Sequence, residues 1–330
     1  MRKAGLCLLA VALVGLAACA STGTSSGGRL KVVTTVSPIT NIVQNVGGDL
    51  IDLQGIVPEG ANSHTFEPVP SDARVLVEAD IVFINGLHLE QPTLELARAN
   101  VRKGVPVVQL GPRTITASQY IYDFSFPKSK GDPNPHLWTD PVYAKRYAEI
   151  VRDELSKVDA THAATYASNE QKFAGRLDQL DAAARAVTKT VPAGNRKLLT
   201  YHDSFPYFAR EYGWSIVGAI QPSDFSEPTP REVAALIAQI KRERVPAIFG
   251  SEVFPSPVLA QIARETGARY VDKLRDDDLP GNPGDREHSY LGLMVFDFKT
   301  FMGALGGDTK SFDAIDVTNL AGNKTAHYRY

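Results

Sequence analysis

From residue 30 onward, short runs of β-branched and apolar residues alternate with longer stretches in which apolar and polar positions mix. The first runs are "LKVVTTV" (30–36), "LIDLQGIV" (50–57), "DIVFIN" (80–85) and "VPVVQLG" (105–111), each of strand length. Stretches such as "SDARVLVEA" and "LEQPTLELARAN" between them have helix character. This alternation predicts βα units around a largely parallel sheet. The pattern changes from Pro141 to about Val191, a mostly polar, helix-favouring stretch broken near "KVDATHAATY". Its second part, "YASNEQKFAGRLDQLDAAARAVTKTV", has good helix formers throughout and almost no Gly or Pro. Strands then resume in "KLLTY" (197–201), "SIVGAI" (215–220), "PAIFGS" (246–251) and "RYVDKL" (269–274). The predicted fold is α/β, with two lobes of largely parallel sheets flanked by helices. The lobes cover 30–164 and 192–330 and are joined by one long, rigid connecting helix over 165–191.

Composition fits this picture. The chain has 330 residues, 43% of them hydrophobic, enough for two lobes that each bury a core. Lys plus Arg number 35 against 37 for Asp plus Glu, so the net charge of -2 gives no electrostatic reason for a polyanionic partner. Nucleic acid is excluded as an expected ligand on that ground.

The first residues carry different information. "MRKAG" is a positive start, "LCLLAVALVGLAA" an apolar run too short to span a bilayer, and the run stops at Cys19. Residues 1–18 are therefore expected to be an export signal. "LAAC" resembles the lipobox of bacterial lipoproteins, which implies cleavage before Cys19 and acylation of its sulfur. Residues 19–29 continue as a Ser/Gly-rich tether. Cys7 would leave with the signal, and no disulfide or thiolate metal site remains possible.

Candidate chemistry lies in the loops. His64 sits in "GANSHTFEPVPSD" after the strand ending at Val57, His136 in "DPNPHLWTDP", and His202 directly after "KLLTY". Loops that follow strands are where open α/β sheets collect ligand-binding side chains. The strand "RYVDKL" runs into Asp276, Asp277 and Asp278. Three imidazoles and one carboxylate would make a closed tetrahedral set for zinc. The candidates are far apart in sequence, and no short motif such as H-E-x-x-H links them. Among the other histidines, His162 is expected to face solvent, His88 and His288 lie in polar loops with an accessory role open to them, and His327 is in the tail.

"EGANSHTFEPVPSD", "DPNPHLWTDP", "YHDSFPYFAREYG" and "LRDDDLPG...YLGLM" occur in this order. Together they closely resemble the metal-binding solute receptors of bacterial zinc and manganese ABC importers, the cluster A-I or cluster nine family, over about Leu30 to Gly303. The resemblance implies that His64 and His136 are ligands from the first lobe. His202 and an Asp of the acidic loop would be ligands from the second, with Asp276 favoured and Asp277 the better of its two alternatives. The manganese receptors commonly place Glu where this chain has His202, so three His and one Asp tilt the expectation to zinc, with manganese or a broader divalent specificity as the alternative. The His-rich loop common in zinc receptors is absent from "TASQYIYDFSFPKSKGDPN".

The resemblance further implies an extracytoplasmic monomer, lipid-anchored to the cell membrane or periplasmic, that delivers its ion to an ABC permease and its ATPase. It implies a receptor, not an enzyme. Ligands from both lobes would put the ion in the cleft, and the connecting helix should limit closure to loop rearrangement or a small tilt. Affinity is expected to fall as pH drops through roughly 6.5, the ordinary imidazole range. Asp203 and Glu252 are candidate outer partners that orient the ligating imidazoles, with capping or solvation as the simpler role. A zinc hydrolase with an open fourth position and a surface adhesin with a structural metal are the readings from other classes. The tail from about residue 306 has no functional reading.

Overall fold

The computed structural model describes residues 28–252, 256–275, 277–322 and 326–328, without the side chains of Asp272 and Lys273. The export signal, Cys19, most of the tether and Asp276 lie outside these residues. In chain order the first part contains β1 (Leu30–Thr34), α1 (Ser37–Gly47), β2 (Ile51–Gly55), α2 (Pro70–Glu78), β3 (Ile81–Ile84), α3 (Gln91–Asn100), β4 (Val107–Gln109) and α4 (Leu110–Thr114). Helices α5 (Pro141–Val158) and α6 (Ala163–Thr190) follow. The remainder is β5 (Lys197–Thr200), α7 (Pro206–Tyr212), β6 (Ser215–Ala219), α8 (Pro230–Glu243), β7 (Ala247–Ser251), α9 (Val258–Thr266), β8 (Arg269–Leu274), α10 (Tyr290–Ala304) and β9 (His327–Tyr328).

Two sheets result, ordered β4-β3-β1-β2-β9 and β6-β5-β7-β8, and every pairing is parallel. The α/β class expected from the alternating pattern is the one observed. Parallel strands need crossovers, so successive strands are separated by helices that cover the faces, which is why β3 reads as an unbroken buried "IVFI". The break in the long helical stretch falls at Asp159, whose φ of -135° and ψ of 71° leave the helix. Its carboxylate accepts from Tyr166 Oη at 2.8 Å and from His162 Nδ1 at 2.7 Å, stabilising the turn between α5 and α6. Helix α6 has 28 residues and buries Tyr166, Phe173, Leu177, Leu180, Ala184 and Val187 along one stripe.

The two sheets share one core. Trp138 and Tyr147 belong to the same buried cluster as Phe205, Phe208, Phe249 and Phe301. Helix α1 is buried on every side, packed against α5, α6 and α10. Polar bonds also cross: Tyr207 Oη donates to Asn134 O at 2.9 Å, Thr139 Oγ1 to Ser204 O at 2.8 Å, and Tyr290 N to Asn41 Oδ1 at 2.8 Å. A shared apolar core resists wide hinge opening, because opening would expose it to water.

The tail returns to the first sheet. Chain order groups it with the second lobe, yet β9 extends the edge of the first sheet by pairing with β2. On the way Asn319, buried, accepts from Asn41 and Asn45 of α1 and donates to His288 O. Among the described residues no helix is long and apolar enough to cross a membrane.

Phe301 is the centre of an aromatic group, with ring centroids 5.2 Å from Phe208, 5.5 Å from Trp214 and 5.7 Å from Phe298. Phe301→Ala is expected to cost about 3–5 kcal/mol in urea denaturation, the usual cost of a large cavity in a core that cannot collapse. A loss under about 1 kcal/mol would show that this part of the core repacks freely.

Candidate metal centre

Three loops bring three imidazoles to one point. The His64 loop leaves β2 through "GANSH", where Asn62 Oδ1 accepts from His64 N at 3.0 Å and fixes the turn. The His136 loop uses the same device: Asn134 Oδ1 accepts from His136 N at 3.1 Å. His202 follows β5 at its carboxyl end, where Thr200 Oγ1 donates to the His202 carbonyl at 2.5 Å. The Nε2 atoms of His64, His136 and His202 lie 3.2, 3.2 and 3.0 Å apart. They are the one group of three or more His, Cys, Asp or Glu donors among the described residues that could hold a metal ion.

The opposite ring nitrogens show which way the lone pairs point. His136 Nδ1 meets Asn134 Oδ1 at 2.9 Å, and His202 Nδ1 meets Gln221 Oε1 at 2.7 Å. The Asn134 amide is fixed by its other end, which donates to Asp203 O at 2.6 Å and Asp123 Oδ2 at 3.1 Å. An amide oxygen only accepts, so both Nδ1 atoms carry the proton and both Nε2 atoms are left as bare donors. Three nitrogens around one zinc at about 2.0–2.1 Å in tetrahedral angles stand roughly 3.3 Å apart, close to the triangle seen here. The donor set therefore fits a borderline divalent ion.

Burial sets the proton chemistry. His136 and His202 are buried and His64 is half-buried. Burial, opposed by the Gln221 hydrogen bond, lowers the His202 pKa to about 4. His64 and His136 are held well below the usual imidazole value, first by burial and then by charge repulsion within the group. All three are thus neutral at pH 7 and ready to coordinate. Aromatic rings form the walls: Phe225 stacks on His64 with centroids 4.5 Å apart, Phe126 lies 5.5 Å from His64, and Trp138 lies 5.0 Å from His136.

The acidic loop docks beside His64. Asp277 is buried, and its Oδ2 accepts from Ser63 Oγ at 2.5 Å while Ser37 Oγ donates to its carbonyl at 2.5 Å. Asp278 Oδ2 accepts from Gly60 N at 2.7 Å. Burial pushes the Asp277 carboxyl up to about 7 and Asp278 up to about 6. Both contacts join the second lobe's loop to the loop carrying His64.

The side chains of Asp203 and Glu252, the candidate outer partners, make the following contacts. Asp203 Oδ2 accepts from Ser125 N at 3.2 Å, and burial raises both Asp203 and its neighbour Asp123, the latter to about 9. The two carboxyls are a close buried pair that holds a proton at neutral pH. Glu252 Oε1 accepts from Asp278 N at 3.3 Å. Asn134 and Gln221 bond the imidazoles directly, and sequence reading missed both. Asn134 had a signal in its position two residues before His136 in a rigid Pro-flanked loop, and Gln221 in its position just past the β6 strand end. His162 is at the surface as expected, but His288 is buried, with Nε2 3.2 Å from Glu59 Oε1.

Nitrogen-15 NMR of the metal-free protein checks the tautomers: His136 and His202 should both carry hydrogen on Nδ1 at pH 7. His202 should stay neutral down to about pH 4. An imidazolium signal from His202 at pH 6 would contradict the arrangement.

Residues 32–304 match the family described as "Zinc-uptake complex component A periplasmic". The manganese-binding lipoprotein MntA of Halalkalibacterium halodurans is 28% identical over 302 residues, 90% of this chain and 96% of that protein. The iron-binding protein YfeA of Yersinia pestis is 31% identical over 280 residues, 84% of this chain and 87% of that protein. Among solved structures, the periplasmic zinc binding protein TroA from Treponema pallidum superposes with a TM-score of 0.76 at 28% identity, covering 84% of this chain and all of that one. With the family match spanning most of both lobes and three imidazoles meeting between them, the chain belongs to the periplasmic component A family of zinc-uptake complexes.

Proposed function

We propose that this chain is the extracytoplasmic receptor of a metal ABC importer, capturing zinc between its lobes and delivering it to a membrane permease driven by an ATPase. His64, His136, His202 and Asp276 are the proposed ligands. Cys19 is the proposed lipid-anchor site, holding a monomer at the outer face of the cell membrane. The observation that carries the reading is the convergence of three neutral Nε2 atoms within 3.0–3.2 Å. Relatives named for manganese and iron and a structural neighbour named for zinc leave the choice of ion to the donor set. Three imidazoles favour zinc over the harder manganese, which prefers oxygen. The family is one of uptake components, so the hydrolase reading falls away and the chain is a receptor.

Capture follows from the geometry without a large hinge. The cargo ion replaces the mutual repulsion of three nitrogen lone pairs with attraction, and a carboxylate from the acidic loop would complete the set and neutralise part of its charge. That loop rests on the His64 loop through Ser63 and Gly60, which ties the acidic run to the loop carrying the first imidazole. A permease could then read the loaded state in the position of these two loops.

The pH expectation needs correction. Burial moves the histidines far below 6.5, so protons compete for the nitrogens only at lower pH. A lowered folded pKa keeps the ligand form populated until pH falls through that lowered value, about 4 for His202. Titration calorimetry should therefore find zinc affinity falling by no more than about tenfold from pH 7.5 to 6, the share of the raised carboxyls of Asp277 and Asp278 in the acidic loop, with the loss through the histidines only at lower pH. A tenfold loss for each pH unit between 7.5 and 6 would contradict it.

Native mass spectrometry with elemental analysis tests the ligand set. Protein purified without added metal should carry one zinc, and His202→Ala should lose it. Outer partners of metal ligands alone typically cost 10–100-fold in affinity, so Asp276→Ala should cost at least about 100-fold and Asp277→Ala less. The reverse order would move the carboxylate role to Asp277, and stoichiometric zinc in His202→Ala would sink the set.

A further inference from the structure

A small cavity of about 90 Å³ is lined by His64, Phe126 and Phe225 together with Lys130, His88 and Asp132, whose exposed side chains mark its outer end. His88 Nδ1 faces Asp132 Oδ1 at 3.5 Å, and both side chains are about half exposed. Lys130 shares the mouth, but its ammonium is directed to Ser223 O at 2.9 Å.

The backbone that presents His88 is unusual. Gly86, Leu87 and His88 have φ of 77°, 56° and 66°, so two successive non-glycine residues sit in the left-handed region. L-residues adopt that region at a cost, and the surroundings must hold them there. They do so here: the buried Glu90 carboxylate accepts from Asn85 N at 2.7 Å and Gly86 N at 3.2 Å. Leu87 is buried against Gly111, where a Cβ would come within 2.9 Å of the Leu87 side chain. Asn85 is pinned in turn by Tyr147 Oη at 2.7 Å and donates to Pro135 O at 3.0 Å. Pro135 precedes His136, so one rigid frame sets both the inner nitrogens and the outer imidazole.

We propose that His88 and Asp132 form an outer, transient cation site at the cavity mouth, through which the divalent ion passes on its way to His64. The proposal rests on the metal-receptor reading above. An imidazole and a carboxylate suit a borderline divalent ion, and their exposure lets it keep most of its water shell. Two ligands bind weakly, so the ion is held long enough to shed water stepwise and then lost to the dry inner site. The Asp132 carboxylate also concentrates cations at the opening. This chain has no histidine between Thr116 and Asn134, which leaves His88 as the exposed imidazole at the mouth.

Stopped-flow exchange of zinc between a chromophoric chelator and the protein tests it. The variants are His88→Asn, chosen because Asn tolerates the left-handed backbone, and Asp132→Asn. A site on the path but not in the final complex changes the barrier alone. Association and dissociation should both slow by the same factor, about threefold or more, with Kd unchanged. Wild-type association rates in both variants would overturn the outer site while leaving the receptor reading intact. A weakened Kd at an unchanged association rate would also overturn it, since the pair would then belong to the final complex. Failure of the wild-type protein to take zinc from the chelator would sink the receptor reading and the outer site with it.

Discussion

Three imidazole nitrogens held 3.0–3.2 Å apart, with at least two lone pairs forced inward by hydrogen bonds on the far side of the ring, repel one another unless a positive charge lies between them. A proton could supply that charge, but burial makes protonation costly and pushes the histidines to low pKa. A divalent cation with bonds of about 2 Å meets the same need and loses little by leaving water, because three nitrogens replace three water oxygens. The fold itself sets where these donors sit. Asn134 and Gln221, the aromatic walls and the Pro-flanked loops are all devices for that purpose.

Holding them requires the two lobes to behave as one body. Helix α1 is buried from every side, the aromatic cluster around Phe301 continues into the first lobe's core, and Ser125 Oγ bridges to Gln221 O at 2.8 Å next to the site. The tail adds to this, since it leaves the second lobe, bonds α1 through Asn319 and ends on the edge of β2. Such a frame favours loop-scale change on loading over rotation of whole lobes. The loops that meet beside the site are the one carrying His64 and the one carrying Asp277 and Asp278.

Much of this was legible in the sequence, and the limits have physical causes. The strands could be read because parallel strands buried on both faces are runs of apolar residues, as in "DIVFIN" and "PAIFGS". His64, His136 and His202 could be found because each follows a strand or sits in a rigid loop. Asn134 and Gln221 could not be assigned, because an amide gains its role only from the nitrogen it meets, and Gln221 meets one nineteen residues away (221 minus 202). Phe225 was hidden for a similar reason: its stacking on His64 joins the two lobes. The return of β9 to the first sheet left no trace, since a two-residue strand has no periodicity to read. The shift in histidine pKa is a property of burial, which no local pattern carries.

X-ray absorption spectroscopy of the zinc-loaded protein measures the central claim most directly. The account predicts three imidazole nitrogens and one oxygen at about 2.0–2.1 Å, with the imidazole scattering reduced by one ring in His136→Ala. A first shell with fewer than three imidazoles, or one dominated by water oxygens, would contradict it.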